Sequence, residues 1–501
     1  MQAHFSLLQY GIFLVYILAS ISVGLWFARG QKTMEEYYLA ERSAPWWASA
    51  ISIISSDITA VSYLGCAAVV FTGDLQLLTG TLALPLGALF VSLVFIPVLA
   101  ARKVFTVYEY LEHRFDRKVR TIASALFLLM RGSHLAVALY AASFVLAEIL
   151  GFPLWLGLLV LGGLTTLYTM LGGMKAVLWT DVVQFFVLLG GLVAVLGGVA
   201  LAFHWDLGEI WRTASTSMPA GAPWLAGKAD SPSHTRLFDF SLGVHGMNFW
   251  AILISGFFQA VGSYGSDQVL VQRYLAAGSR RQMTASLIAG SLITMPINAL
   301  MFGVGVFLAA YYSRFLGQPG FAWVGGLDDA NRVMTHFITH GLPGFLAALV
   351  MAGLFAGTMS SFSAGLNSLS TATYVDFIRR FRRPDDRREV AVAKLVTGLW
   401  GLGIILAAIL LGGGDVIFAI LAKVMGPFAG PLLGMFLLGM WSKRARSLDV
   451  IAGTALGVVA TVGVTQFTSI HWLWYYVVGT VVAFAAGCLF SLVRRGPATR
   501  P

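Results

Sequence analysis

The sequence predicts an all-α polytopic membrane protein of about thirteen transmembrane helices, and three observations carry that prediction. Hydrophobic residues make up 58% of the 501 positions while charged residues make up 11%, against about 25% charged in soluble domains. Mean hydropathy is +0.79. Apolar stretches recur at the ~20-residue length that carries a helix across a bilayer, and the short alternating segments of a membrane β-barrel do not dominate. Lys and Arg gather on every second connection between those stretches.

The first span, 7–28, is too long for a signal peptide and lacks a basic start and a small-residue cleavage site, so it reads as a retained helix. Spans of membrane length follow at 46–71, 78–100, 121–150, 153–172 and 177–203. A second set falls at 246–270, 284–312, 343–376, 391–413 and 415–441, and a last pair at 449–468 and 472–493. The odd connections and the C-terminus hold the charge, in "RKVFTVYEYLEHRFDRKVR", "GSRRQ", "RRFRRPDDRR", "SKRARS" and "RRGPATR". Even connections such as "TGDLQLLTG" and "TSIHW" hold none. The positive-inside rule then puts the N-terminus outside and the C-terminus in the cytoplasm. The chain is expected to be a multi-pass integral protein of the cell (inner) membrane. Its pI near 9.6 reflects this topology and the anionic lipid headgroups rather than a nucleic-acid partner.

Several function classes drop out. There is no G-x-x-x-x-G-K-[ST] and no G-x-G-x-x-G after a strand, so direct ATP drive is not expected. Two cysteines, Cys66 and Cys488, lie in apolar stretches, and nine scattered histidines give no ligand set. Without a metal set or a nucleophile–base constellation, an enzyme is not expected. No obligate protein partner is evident. In the external connection 313–341 the Asp328-Asp329 pair reads as a solvated loop feature, with an ion lure as the alternative.

Charge inside a bilayer costs several kcal/mol, so each buried ionisable residue asks for a partner. Asp57, Arg131, Glu148, Asp181 and Lys423 qualify by position. Asp267, Asp376 and Lys394 lie near span ends, where an interfacial role is expected, as it is for Glu148. For Arg131 and Lys423 a structural ion pair competes evenly with a transport role. The second span reads "ISIISSDITAVSYLG" and the ninth "AGLFAGTMSSFSAGLNSLSTATYVDF". A lone membrane hydroxyl usually back-bonds to its own helix, but Gly357, Ser360, Ser361 and Ser363 crowd two turns. A small dehydrated cation takes about six oxygens. Hydroxyls from the ninth span and carbonyls from an unwound second span would supply a sodium site of neutral oxygens.

Four stretches, "EEYYLAERSAPWW" (35–47), "GGMKAVLWTDVVQ" (172–184), "GSDQVLVQRYLAA" (265–277) and "SSFSAGLNSLSTATYVDF" (360–377), together resemble signatures of the sodium/solute symporter family. The resemblance implies a core of two inverted five-helix repeats, at 46–203 and 246–441, with peripheral helix 7–28 before and two helices at 449–493 after. The first helix of each repeat should be broken near the midplane, exposing backbone groups. Gly262 and Gly265 suit such a break, and Gly65 is compatible with one near the second span. Matching the motifs places the sodium-binding carbonyls at Ser55, Ile58 and Gly357 and the hydroxyls at Ser360 and Ser361. Asp181, with Ser363, corresponds to a second cation or gating position. Ala364 stands where a further hydroxyl is expected, which weakens the second-cation reading. Asp57 is expected to support the sodium site.

Solute is expected at Thr59, Ser62, Phe258, Gln259 and Ser263, with Tyr264 as an aromatic gate. A sugar is disfavoured, because Ala260 replaces an amide, the eighth span lacks a lysine, and Ser62 stands where the sugar branch has a glutamine. A small organic acid or amino acid is expected. An ionised Asp57 repels an anion unless sodium intervenes, the carboxylate points away, or the solute carries an amine. The resemblance thus implies sodium-coupled import by alternating access. A proton-coupled carrier using Asp57 and Asp181, a sodium/sugar symporter of the same fold, and a transporter-like sensor are the alternatives. The chain's end at "RRGPATRP" without an output domain argues against the sensor.

Overall fold

The computed structural model describes residues 7–27, 31–216, 233–315, 332–381, 386–411 and 417–493. Asp328 and Asp329 lie outside the described residues, as do the side chains of Glu148 and Lys423 and the basic C-terminus from residue 494. Among the described residues every regular element is helical. Eight helices among the described residues are long and apolar enough to cross a membrane, or nine if one bent pair counts as a single span.

In chain order, α1 (Leu7–Phe27) and the short α2 (Met34–Leu39) precede a broken span, α3 (Trp46–Asp57) and α4 (Ala60–Thr72). These two halves bend by 62° at the break. A 3-10 segment (Gln76–Leu82) leads into α5 (Ala83–Val94) and α6 (Ile96–Arg102), then α7 (Glu109–Arg114), α8 (Arg117–Leu150) and α9 (Leu154–Ala202). After α10 (Leu207–Thr216) comes a second interrupted helix, α11 (Phe249–Gly265) and α12 (Gln268–Leu275). The rest are α13 (Arg280–Phe315), α14 (Arg332–His340), α15 (Gly344–Thr373), α16 (Asp386–Leu410), α17 (Ile417–Trp441), α18 (Ser447–Phe467) and α19 (Trp474–Val493).

The 49 residues of α9 would reach roughly 73 Å if straight, more than twice a ~30 Å hydrocarbon core. Gly173 divides them: its φ of 56° and ψ of −154° lie where only glycine goes without strain. A Cβ there would meet the Tyr37 carbonyl oxygen at 2.7 Å. The two expected spans, 153–172 and 177–203, therefore join through one sharp bend rather than a connecting loop.

α15 is the axis of the bundle. Every residue from Val350 to Ala372 is buried, so its run of hydroxyls faces protein on all sides. It packs most extensively on α9, and also on α8, α1, α16 and α3.

The second span breaks in its hydroxyl-rich stretch, and Gly65, which is compatible with a break, is not where it falls. Gly65 sits inside α4, and the chain leaves helical geometry at Ile58 and Thr59. Thr59 explains the position, since its side chain accepts the Ser62 N–H at 3.3 Å and so starts α4. In the second break, Gly265 ends α11 and Asp267 caps α12 by accepting the Val269 N–H at 2.9 Å. Gly262 serves by close approach: a Cβ there would lie 1.7 Å from the Tyr476 hydroxyl.

Candidate functional site

The two breaks and α15 meet. Ending α3 at Asp57 leaves the carbonyls of its last turn, Ser55 among them, without helical partners. Ile58 follows in extended geometry, and its carbonyl oxygen accepts the Ser361 hydroxyl of α15 at 2.8 Å. Gly357 lies one turn before Ser361, and a Cβ on it would stand 3.3 Å from that same Ile58 oxygen. The Ser360 hydroxyl donates to Asp181 Oδ1 at 2.6 Å, and Ser52 of α3 donates to Asp181 Oδ2 at 2.5 Å. The proton of Ser360 is thereby committed to a carboxylate, which leaves its oxygen lone pairs for a cation. Ser55, Ile58, Ser360 and Ser361 are all at most 4% exposed, and the Ser55 hydroxyl has no hydrogen-bond partner among the described residues. The Ser363 hydroxyl is spent on its own helix, donating to the Ser360 carbonyl at 2.9 Å.

Asp57 behaves differently from its neighbours. It is exposed between buried residues, and no hydrogen bond to it is found among the described residues. Arg131 of α8 pairs with Asp267 at 2.6 Å. The interfacial reading of Asp267 is therefore wrong: it is 5% exposed and held at the α11–α12 break. Asp376 is corrected in the same way. It is fully buried, in a wide π-helical turn at Tyr374–Ile378. There it accepts from Arg120 Nη2 at 2.5 Å, Thr106 at 2.8 Å and Ser124 at 2.7 Å. The same Arg120 holds Glu112 at 2.6 Å. Burial raises that carboxyl, but the guanidinium outweighs it and holds Glu112 below its usual range.

Sequence reasoning missed two residues of the signature stretch on α12. Arg273 is fully buried. Its Nε donates to the Ser56 hydroxyl at 3.1 Å and its Nη1 to the Val269 carbonyl at 3.2 Å, while Nη2 has no hydrogen-bond partner among the described residues. Gln272 donates to the Tyr38 carbonyl at 2.7 Å, Asn367 at 2.7 Å and Thr371 at 2.9 Å. It ties α12 to α2 and α15. The signal was present in "VQRY": an arginine and a glutamine beside a helix break, with no water to pair them.

On the α11 side a cavity of about 150 Å³ opens, lined by Ser255, Gln259, Ser263 and Asp267, by Met130 of α8, and by residues of α17 and α19. Of the expected solute residues, Gln259 and Ser263 line it. Thr59 is buried as a helix cap, Ser62 and Phe258 are half-buried, and Tyr264 is 4% exposed. The contribution of Trp472, Tyr475 and Tyr476, just before and at the start of α19, was not expected.

The family model described as "Sodium:solute symporter family" matches residues 37–457. The chain belongs to that family. It is 27% identical over 501 residues to the sodium/sialic acid symporter SiaT of Proteus mirabilis, covering 98% of this chain and 96% of that one. It is 32% identical over 462 residues to a sodium-dependent multivitamin transporter of Oryctolagus cuniculus, covering 91% and 70%. A solved Na+-coupled sialic acid symporter, substrate-bound and outward-open, superposes with a TM-score of 0.88 at 25% identity, over 99% of both chains. The nucleobase-cation symporter Mhp1, at 16% identity over 93% of this chain and 95% of that one and a TM-score of 0.55, shares the fold. The protein is thus a sodium-coupled solute symporter, an integral multi-pass membrane protein and not an enzyme.

Proposed function

We propose that the coupling sodium binds where the carbonyls of Ser55, Ile58 and Gly357 meet the hydroxyls of Ser360 and Ser361. The observation that carries this reading is the 2.8 Å contact between Ser361 Oγ and the Ile58 carbonyl. A cation entering between these oxygens exchanges one hydrogen bond for several ion–oxygen contacts. Asp181, bound by Ser52 and Ser360, acts as the gating tie that joins α3, α9 and α15. The loss of a hydroxyl at Ala364 and the inward bond of Ser363 favour that role over a second cation. No hydrogen bond joins Asp57 to this oxygen set among the described residues, so it supports the sodium site indirectly.

The topology we propose has thirteen spans, N-terminus outside and C-terminus cytoplasmic, in the inner (cell) membrane. Repeats at 46–203 and 246–441 are flanked by the helix at 7–28 and the pair at 449–493; the two broken first helices support this division. In that orientation α12 and its Gln272 clamp are cytoplasmic, and the cavity beside Gln259 and Ser263 faces outside. The solute is a small polar organic acid or amino acid, imported by alternating access. Sodium favours the state that binds solute, and solute in turn favours sodium binding.

The test is solute accumulation by reconstituted vesicles under an inward sodium gradient, against a potassium gradient and against a pH gradient alone. Accumulation with sodium only is the expected result. Accumulation driven by the pH gradient without sodium would overturn it in favour of proton coupling through Asp57 or Asp181.

A further inference from the structure

Resting on that reading of the solute site, we infer that Tyr476 of α19 is a specificity-determining residue: its ring closes the cavity against Gly262 and limits the size of the solute body. The cavity selects by fit on this side rather than by charge. Gln259 and Ser263 of α11 offer a neutral amide and a hydroxyl, while Trp472, Tyr475 and Tyr476 offer rings. Asp267 also lines the cavity, but Arg131 pairs with it at 2.6 Å. A solute that bonds to Gln259 or Ser263 turns its body to the rings, in a space of about 150 Å³. A packed wall sorts such bodies by volume, because one methylene too many forces its neighbours apart.

The packing of α19 shows why this ring is fixed enough to act as a size limit. Gly262 of α11 leaves a hollow that the Tyr476 hydroxyl fills, and a Cβ there would collide with it. Behind the ring, α19 is seated on α17 through glycines. A Cβ on Gly430 would collide with the Tyr476 carbonyl oxygen, and one on Gly434 would meet the Thr480 carbonyl oxygen at 2.8 Å. On the facing side, a Cβ on Gly479 would stand 2.6 Å from Pro431. The Thr480 hydroxyl donates across this contact to the Gly430 carbonyl at 3.0 Å. Small residues let membrane helices approach this closely. Just before α19, the His471 N–H donates at 2.9 Å to the carbonyl of Val244, ahead of α11. Buried Leu473 packs with Ala251 and Ile252 of α11. The start of α19 is thus wedged between α11 and α17, and Tyr476 has no room to swing clear of a larger solute.

The experiment uses the full-length chain in lipid nanodiscs at saturating sodium, with Cys66→Ser and Cys488→Ser removing its two cysteines. Ser263→Cys then places a single thiol in the cavity. The probes are methyl and benzyl methanethiosulfonate, and the ratio of their reaction rates reads the space beside Tyr476. Adding Tyr476→Ala should raise the benzyl-to-methyl ratio roughly tenfold, within the range by which apolar pockets sort bodies. Tyr476→Leu should give an intermediate ratio. Val477→Ala, at a buried neighbour that does not line the cavity, should leave the ratio unchanged. A ratio unmoved by Tyr476→Ala and Tyr476→Leu, or moved as far by Val477→Ala, overturns the inference. Radioactive-sodium binding is measured on every variant, so that a misfolded chain is recognised. A second arm measures thermal stabilisation by straight-chain carboxylates and amino acids of increasing length. The longest stabilising probe should be longer for Tyr476→Ala than for the wild type, and an unchanged limit counts against the inference. If no probe stabilises the wild type, the solute class proposed above fails, and the thiol ratio still decides the role of Tyr476.

Discussion

Ser361 on α15 and Ile58 at the break of the first broken span, 303 residues apart in sequence, are joined by a hydrogen bond of 2.8 Å from hydroxyl to carbonyl. A freed carbonyl in a membrane protein must find a donor or an ion, and this one finds its donor among the hydroxyls proposed to bind sodium. Ser361→Ala removes that oxygen and leaves the carbonyl alone. A contact to a charged partner is worth about 1.5–3 kcal/mol, so sodium for half-maximal uptake should rise roughly 10- to 150-fold. Vesicle uptake at graded sodium measures it, and Ser361→Thr, which keeps the hydroxyl, should stay close to wild type.

Asp181 gathers hydroxyls from Ser52 and Ser360 on two different helices. As a gating tie, its change to Asn should lower the maximal rate roughly tenfold by weakening charge-assisted bonds. The steepness of the sodium dependence should be unchanged. A flatter dependence in Asp181→Asn would mean that a second cation is lost with the carboxylate.

Arg120 holds fully buried Asp376 at 2.5 Å, and with it the end of α15 against α8. Removing one partner of a buried pair costs about 3–5 kcal/mol because the other charge stays buried. Arg120→Ala should therefore lower the thermal midpoint in detergent clearly. Arg117→Ala, whose side chain is 81% exposed beside Glu112, should barely move it.

Gly262→Ala places a methyl group 1.7 Å from the Tyr476 hydroxyl, and the backbone of α11 cannot retreat without disturbing the break. Uptake should fall to background. Shortening the neighbour, in Gly262→Ala combined with Tyr476→Ala, should recover sodium binding, which reads the fold independently of the solute pocket that Tyr476 lines.

Much of the fold was legible because the bilayer allows few solutions. Length and hydropathy place the helices. The meeting of the ninth span with the break in the second was legible because a hydroxyl cluster such as Ser360, Ser361 and Ser363 asks for partners, and Ser361 finds the Ile58 carbonyl. Asp267 and Asp376 were misread because proximity to a span's end says nothing about packing: each is buried by a partner, Arg131 and Arg120, from a distant segment. The break falls at Ile58, within the stretch whose carbonyls were expected to be freed, because a capping hydroxyl at Thr59 restarts the helix. The α19 wall escaped notice because tertiary contact alone brings Tyr476 to Gly262.

The most direct test of the sodium assignment is equilibrium binding of radioactive sodium to the purified protein in nanodiscs. Wild type should saturate at one ion per chain. The double variant Ser360→Ala with Ser361→Ala should show no saturable binding up to roughly tenfold the wild-type Kd, a deficit of about 1.4 kcal/mol or more. Saturable binding of unchanged affinity in the double variant would contradict the account.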